Sequence, residues 1–175
     1  MQDAPEVSSD EHVHPGELLP QLYHPIVQLL ENAFAGRLKM VALFGSQARG
    51  EARPDSDHDL FVVVEGLPNE PLARQRAVRT VLLPILGDSP GPVNFIAKTP
   101  NEVASNLTPL LLEVCVDGIC LYGDAYFQPY RKRAMAALRQ ARLRRHKLKT
   151  THMWVFPSLP AGDWELSWEG YRESS

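Results

Sequence analysis

Apolar residues recur along this chain with two different spacings, and the changes between them predict its elements. Residues 38–44 and 58–65 are short, mostly apolar runs that are typical of buried strands. Over residues 17–35 the apolar positions recur every three or four residues, which predicts a helix that Pro25 bends or interrupts. The polar stretch 1–16 has no such period and is expected to be a flexible lead.

Further elements are predicted to alternate after the second strand. In chain order they are a helix over 69–87, a strand over 92–97, a short helix, a helix over 109–116, a strand over 119–122 and a long helix over 125–149. Arg74 in the first of these helices is expected to face solvent. Thr99, Pro100 and Glu102 have the spacing of a helix start with a capping box. This order predicts an α/β fold, with a small mixed sheet of about four strands flanked by helices.

The C-terminal part differs in composition from the predicted domain, which is expected to cover 17–124. Residues 125–150 are rich in arginine and lysine and are expected to form a basic helical arm. Residues 151–175 are an aromatic extension that holds all three tryptophans, and 153–156 is expected to pair with 164–168 as a hairpin. The extension either packs back on the domain or forms a partner or homodimer contact, and the sequence leaves both open.

Overall composition restricts the class of protein. Hydrophobic residues at 44% and charged residues at 22% are ordinary values for a globular chain of 175 residues. The net charge of -3 gives no general reason to expect nucleic-acid binding. No apolar run reaches the roughly 18 residues that a membrane-spanning helix needs. Cys115 and Cys120 are too few for a disulfide framework and favour a reduced, cytoplasmic compartment.

The candidate chemistry lies between the first two predicted strands. Asp57 and Asp59 are two residues apart at a strand edge, so their side chains point to the same face. Two carboxylates repel each other unless a cation lies between them, and Mg²⁺ is commonly held by one or two carboxylates together with substrate phosphates. Gly45 lets the backbone approach a ligand closely, and the Ser46 hydroxyl suits phosphate oxygens. This arrangement predicts a site for the phosphates of a nucleotide.

These residues resemble the signature of the polymerase-β-like nucleotidyltransferase superfamily, and more narrowly its minimal nucleotidyltransferase (MNT) branch. The resemblance is carried by Gly45-Ser46, ten further residues and Asp57-x-Asp59. The flanking positions that also match are Phe44, Ala48, Arg49, Gly50, Ser56 and Leu60. It implies that Asp57 and Asp59 hold Mg²⁺ or Mn²⁺ and that Ser46 acts with them in catalysis. A nucleoside triphosphate, ATP by the same resemblance, would bind at Gly45, Ser46 and Arg49. Arg53 is a further candidate from its place in the loop, because guanidinium groups match phosphate oxygens, and a solvated loop arginine is the open alternative. The basic arm of residues 125–150 is either a solvated face or docks an acidic partner, a second copy of the chain or the surroundings of the triphosphate.

The third predicted strand departs from the family pattern. Enzymes of this superfamily usually present a third carboxylate there, which completes the metal site and accepts a proton from the acceptor. Asn94 occupies the matching position; its amide oxygen is a weak Mg²⁺ ligand and cannot accept the proton as a carboxylate does. Three outcomes stay open: slow transfer supported by positioning, rescue by Glu65 or Glu113, or use of the fold for binding alone.

The resemblance implies transfer of a nucleoside monophosphate, AMP from ATP, to a protein or other hydroxyl acceptor with release of pyrophosphate. It also implies a role as the antitoxin of a toxin–antitoxin pair, with a HEPN-domain toxin-like protein as the partner. The alternative function is that of a catalytically weak or inactive nucleotidyltransferase fold that binds a nucleotide or a partner.

Overall fold

The computed structural model describes residues 21–87, 91–149 and 151–174. The predicted flexible lead and residues 17–20 of the first predicted helix lie outside the described residues. Helix α1 (His24–Phe34) carries Pro25 in its first turn, where proline is tolerated because the N–H there has no partner within the helix. The break expected at Pro25 falls at Tyr23, so Pro25 begins α1 and does not bend it.

A mixed sheet of four strands forms the centre of the fold. Its strands are β1 (Leu38–Phe44), β2 (His58–Val64), β3 (Val93–Lys98) and β4 (Ile119–Tyr122), in the order β3-β2-β1-β4. β1 is antiparallel to β2 and β4, whereas β2 and β3 are parallel. The predicted α/β fold with a small mixed sheet is confirmed.

Helices cover both faces of this sheet. They are α1, the short α2 (Gly45–Ala48), α3 (Pro71–Leu86), α4 (Pro100–Ser105), α5 (Pro109–Asp117) and α6 (Asp124–Gln140). Because side chains alternate along a strand, Val41 and Leu43 of β1 pack with α1 and α3, while Met40 and Ala42 pack with α4, α5 and α6. No helix within the described ranges is long and apolar enough to cross a membrane.

Arg74 does not face solvent as predicted. Its relative exposure is 4%, and its Nη1 donates to Glu102 Oε2 at 2.6 Å. Glu102 also closes the predicted capping box with Thr99, which the structure confirms. A buried arginine needs a partner of opposite charge, and this one lies 28 residues further along the chain, so the helical pattern of α3 could not reveal it.

The long basic helix predicted over 125–149 is wrong beyond Gln140. Arg142 has a left-handed φ of 53°, and the chain then forms strand β5 (Arg144–Leu148), which pairs antiparallel with β6 (Thr151–Val155). Strand β7 (Asp163–Ser167) pairs with β8 (Gly170–Ser174), so the hairpin predicted between 153–156 and 164–168 is also wrong. Basic residues at every second position, as at 145, 147 and 149, suit a strand that has one face against the protein. The prediction of a helix relied on the charge of this segment and did not use the spacing of its basic residues.

Candidate active site

Asp57, Asp59 and Asn94 meet at one end of the sheet. Asp59 lies near the start of β2, and the parallel register places Asn94 of β3 beside it. The antiparallel register places Phe44, the last residue of β1, on its other side. The Gly45–Ser46 turn therefore leaves β1 at the point where the two carboxylates project.

The Asn94 side chain links the two carboxylates. Its Nδ2 donates to Asp57 Oδ2 at 2.9 Å and to Asp59 Oδ1 at 3.4 Å. An amide NH₂ between two carboxylates offsets part of their repulsion, as a cation there would do more fully. Half a turn about the last side-chain bond would present the Asn94 Oδ1 to the same space. The three predicted metal-site residues are therefore within reach of one another.

The electrostatics of the pair favour a bound cation. Burial raises the pKa of Asp59, the hydrogen bond from Asn94 acts in the opposite direction, and the carboxylates of Asp57 and Glu113 raise it further. Oxygen donors of this kind suit a hard ion such as Mg²⁺, which is commonly held by one or two carboxylates and the phosphates of its substrate. In the part of the chain that the structure describes, no three His, Cys, Asp or Glu side chains converge on a metal-binding point. Asn94 is thus the third protein group available to such an ion.

Gly45 makes room for Asp59. Its φ is +73°, and a Cβ added there would lie 2.6 Å from Asp59 Oδ2. A side chain at this position would therefore both strain the backbone and displace one of the two motif carboxylates. The sequence analysis expected Gly45 to let a ligand approach the backbone, and the group that approaches it in the structure is this carboxylate.

Tyr23 and His58 form a buried pair behind the site that the sequence analysis did not identify. The Tyr23 hydroxyl lies 2.6 Å from His58 Nδ1, and both residues are at most 5% exposed. Burial lowers the pKa of His58 although the neighbouring Asp59 and Asp57 act to raise it, which favours the neutral form of the ring. The signal was in the motif: alternation along β2 points His58 to the face opposite the two aspartates, towards the core.

Arg49 is held by acidic side chains. Its Nη1 donates to Glu113 Oε1 at 2.8 Å and its Nε donates to Glu51 Oε2 at 3.1 Å, while Asp117 Oδ2 lies 3.5 Å away. Arg53, in contrast, is exposed in the loop that follows. Of the two arginines predicted to contact a triphosphate, Arg49 is therefore fixed in place before any ligand binds.

A cleft of about 300 Å³ lies beside the Gly45–Ser46 turn. The residues that line it include Ser46, Arg49, Glu51, Arg53, Lys147 and Lys149. Three of the four residues predicted to bind the nucleotide therefore share one cavity. The two lysines come from β5 and the turn that follows it, which the sequence analysis assigned to the basic helix. Contact of that basic segment with the triphosphate was one of the alternatives left open, but these two residues were not singled out.

The two carboxylates considered as replacements for the missing acid lie in different places. Glu65 follows the last residue of β2, about 20 Å along the strand from the aspartates, and pairs with Lys39 at 2.9 Å. It lines a larger cleft of about 450 Å³, together with Arg74 and Glu102, and neither motif aspartate lines this cleft. The alternative that Glu65 replaces the carboxylate missing at Asn94 is therefore wrong. Glu113, by contrast, faces Arg49 and lies near enough to Asp59 to raise its pKa.

Part of the chain is similar to known proteins. Residues 27–107 match the sequence profile of the nucleotidyltransferase domain. A protein of Methanocaldococcus jannaschii that is provisionally named a protein adenylyltransferase is 25% identical over 119 residues, covering 67% of this chain and 81% of its own. The matched residues hold β1, β2, β3 and the three residues that meet at their ends.

Two solved structures are similar to part of the chain. A toxin–antitoxin complex with AMP-PNP gives a TM-score of 0.47 at 22% identity, covering 65% of this chain and 84% of the matched one. The complex of a tri-AMPylated Shewanella oneidensis HEPN toxin with an MNT antitoxin gives 0.46 at 19% identity, covering 68% and 85%. The domain match and the Gly-Ser turn with its two aspartates agree with the expected superfamily: residues 27–107 of this chain are similar to the nucleotidyltransferase domain.

Proposed function

We propose that the protein transfers a nucleoside monophosphate, AMP from ATP, to a hydroxyl acceptor with Mg²⁺. The convergence of Asp57, Asp59 and Asn94 beside the Gly45–Ser46 turn, inside a nucleotidyltransferase domain, carries this proposal. In the reaction the acceptor oxygen forms a bond to the α-phosphorus while the bond from that phosphorus to the bridging oxygen breaks. Pyrophosphate leaves, and the acceptor hydroxyl loses its proton to solvent or a nearby base.

Each residue has a role in this scheme. Asp57 and Asp59 hold Mg²⁺, or Mn²⁺ in its place, and Asn94 contributes its Oδ1. When bound, the ion stabilises charge on the phosphate oxygens and orients the triphosphate. The Ser46 hydroxyl donates to a phosphate oxygen, and Arg49 adds a guanidinium held by Glu113. Since Asn94 cannot accept a proton, turnover depends on positioning and is expected to be slow.

The acceptor in this proposal is a protein hydroxyl. The relative from Methanocaldococcus jannaschii is named for that reaction class, which supports the choice. The MNT resemblance of residues 44–60 further supports an antitoxin role with a HEPN-domain toxin-like protein as the partner. The C-terminal strands carry exposed apolar side chains that a partner or a second copy of the chain could contact, namely Leu148, Met153 and Trp164. The reaction would take place in the cytoplasm, where ATP is available.

The second candidate function is a binding module without turnover, and the Asn94 contacts favour it. The neutral amide already bridges both carboxylates, and Arg49 is already paired with acidic side chains. A site built in this way can bind Mg-ATP through its oxygen and guanidinium groups and still lack the base that deprotonates an acceptor.

Label transfer from α-labelled ATP to proteins of a source-cell lysate tests the two functions. If the protein is a transferase, label should be transferred by wild type and by the control Asp55→Asn, which changes an exposed aspartate of the same loop. The double variant Asp57→Asn/Asp59→Asn should then transfer no label. Label that persists in the double variant would exclude the proposed site. Absence of label with wild type, together with measurable Mg-ATP binding, would favour the binding module.

A further inference from the structure

The hairpin formed by β5 and β6 lies against the loop that follows the Gly45–Ser46 turn. Glu51 of this loop accepts a hydrogen bond from Lys147 of β5, and its Oε2 lies 3.1 Å from His152 Nε2 of β6. The same carboxylate accepts from Arg49 Nε at 3.1 Å. Two segments separated by about a hundred positions in the chain therefore share one carboxylate beside the candidate active site.

A second contact fixes the hairpin at its other end. Arg145 donates to both oxygens of Asp117, at 2.6 Å for Nη2 to Oδ2, and its guanidinium lies 5.7 Å from the centre of the Trp154 ring. Register places Arg145 opposite Trp154 and Lys147 opposite His152, so these four side chains share the face that meets the domain. The orientation of Lys147 towards the site follows from this register.

The cleft beside the turn has an excess of positive charge. Four of its lining residues are basic, namely Arg49, Arg53, Lys147 and Lys149, against the single carboxylate of Glu51. Within the described ranges neither Arg53 nor Lys149 has a carboxylate within 4.0 Å. Its volume of about 300 Å³ is at the lower end for small-molecule sites and suits a di- or triphosphate group better than a whole nucleotide.

Neither motif aspartate lines the cleft, but the Gly45–Ser46 turn connects the cleft to Asp59. Ser46 lines the cleft, and the preceding residue, Gly45, is the one in contact with the Asp59 carboxylate. An α-phosphate near the aspartates would therefore have its β- and γ-phosphates directed past Ser46 into the basic cavity. Lys147 can donate to a phosphate there and keep its hydrogen bond to Glu51, because an ammonium group has three donors.

We propose that the β5–β6 hairpin completes the triphosphate site, with Lys147 and Lys149 as binding residues for the β- and γ-phosphates. This inference rests on the proposed function for the placement of the α-phosphate. Both lysines lie outside residues 27–107, so the domain that matches the nucleotidyltransferase family does not by itself contain the whole site. The C-terminal hairpin thereby becomes part of the nucleotide-binding machinery.

Calorimetric titration of the full chain with Mg-ATP and with inorganic tripolyphosphate tests the proposal. Lys147→Ala/Lys149→Ala is expected to weaken both affinities about 10- to 100-fold, the usual effect of losing charge-assisted bonds to phosphate. The matched control is Arg144→Ala/His146→Ala, which changes exposed side chains on the other face of β5 and should leave both affinities within about twofold of wild type. Lys149→Ala alone leaves the Lys147 contact to Glu51 intact and should show a smaller loss of the same kind.

The outcomes separate this inference from the proposed function. Wild-type affinities in the lysine variants would overturn the role of the hairpin while leaving the transferase proposal in place. Lysine-dependent binding of tripolyphosphate without any binding of Mg-ATP would support the cleft and refute the transferase proposal. If wild type binds neither tripolyphosphate nor Mg-ATP, both proposals would be overturned.

Discussion

Asn94 determines how the two motif aspartates are held. Its amide donates to both carboxylates, which stabilises them at close range, at the position where the resemblance to the superfamily leads us to expect a third carboxylate. The choice of an amide thus stabilises the site without metal and removes a group that could accept a proton. Binding and catalysis therefore make opposite demands on this residue.

Asn94→Asp is expected to raise label transfer about 100-fold, the lower range of what a positioned general base contributes. Without divalent cation the same change should lower the free energy of unfolding by about 1 to 3 kcal/mol, because an amide donor is replaced by a third repelling carboxylate. Adding Mg²⁺ should restore the lost free energy of unfolding, because the cation offsets the repulsion among the three carboxylates. Denaturant unfolding with and without Mg²⁺ measures it, and Asn106→Asp, an exposed loop position, provides the same charge change away from the site. Equal stability in both conditions would argue against a metal between these residues.

Gly45→Ala is expected to reduce both stability and activity, since its Cβ would lie 2.6 Å from Asp59 Oδ2. The matched control is Gly50→Ala, which has a similar φ of +68° but open space around the added Cβ. Gly50→Ala should cost about 1 to 2 kcal/mol for the left-handed backbone alone. Gly45→Ala should cost about 1 to 3 kcal/mol more because of the clash, and should also weaken Mg-ATP binding. Urea unfolding of the two variants measures the difference, and equal losses would show that Asp59 moves aside freely.

The residues of the motif were predictable because they are close in sequence, and the rest of the site was not. Strand alternation placed Asp57 and Asp59 on one face, and the structure brings Asn94 to them through strand pairing. Lys147 and Lys149 reach the site only because the chain turns after Gln140 and returns as a hairpin. No local period encodes such a return, so the sequence analysis assigned their charge to a basic helical arm and could not choose between solvent, a partner and the triphosphate as its surroundings.

Among the elements, those with local signals were predicted well. The four sheet strands follow from apolar runs, and α4 follows from its Thr99 cap and Glu102. The capping box also has a tertiary role, because Glu102 is the partner of the buried Arg74. Although burial acts to raise the pKa of Glu102, hydrogen bonds from the Thr99 backbone and from Arg74 lower it to about 2.

Glu102→Gln is expected to lower the free energy of unfolding at pH 7 by about 1 to 2 kcal/mol, a modest value because about a third of the side chain is exposed and water screens its charge. Glutamine still completes a capping box, so the loss reports the charge opposite Arg74. The carboxylate contribution is present above the unfolded pKa of 4.5 and is lost as pH falls towards about 2, so the two proteins should converge in that window.

Urea unfolding at pH 7 and at intervals down to pH 3 measures this convergence. Glu31→Gln, an exposed position on α1, is the control and should differ from wild type by less than about 0.5 kcal/mol throughout. A Glu102→Gln deficit that stayed constant with pH would show that packing, and not the carboxylate charge, explains it.

At the scale of the whole molecule, the C-terminal strands pack on the domain at two places. The β5–β6 hairpin contacts the loop of the candidate active site through Glu51, and the turn before β8 places Trp168 in the core. Trp168 is 4% exposed, its Nε1 donates to the Val103 carbonyl at 2.8 Å, and its ring lies 5.0 Å from that of Tyr130. Of the two roles left open for the aromatic extension, packing back on the domain holds for this tryptophan.

Trp168→Ala is therefore expected to destabilise the entire domain, by about 3 to 5 kcal/mol, since it removes a buried ring and leaves the Val103 carbonyl without its donor. Trp164, which is 50% exposed and packs on Phe156 at 4.9 Å, provides the matched control, and Trp164→Ala should cost about 1.5 kcal/mol or less. Thermal unfolding followed by circular dichroism at a helix wavelength and by tryptophan fluorescence measures both variants. If the extension is part of one cooperative unit, the two probes must give the same lowered midpoint for Trp168→Ala. A helix transition that stays at the wild-type midpoint while fluorescence changes would mean that the domain folds without its C-terminal strands, and the hairpin lysines would then not belong to a rigid nucleotide site.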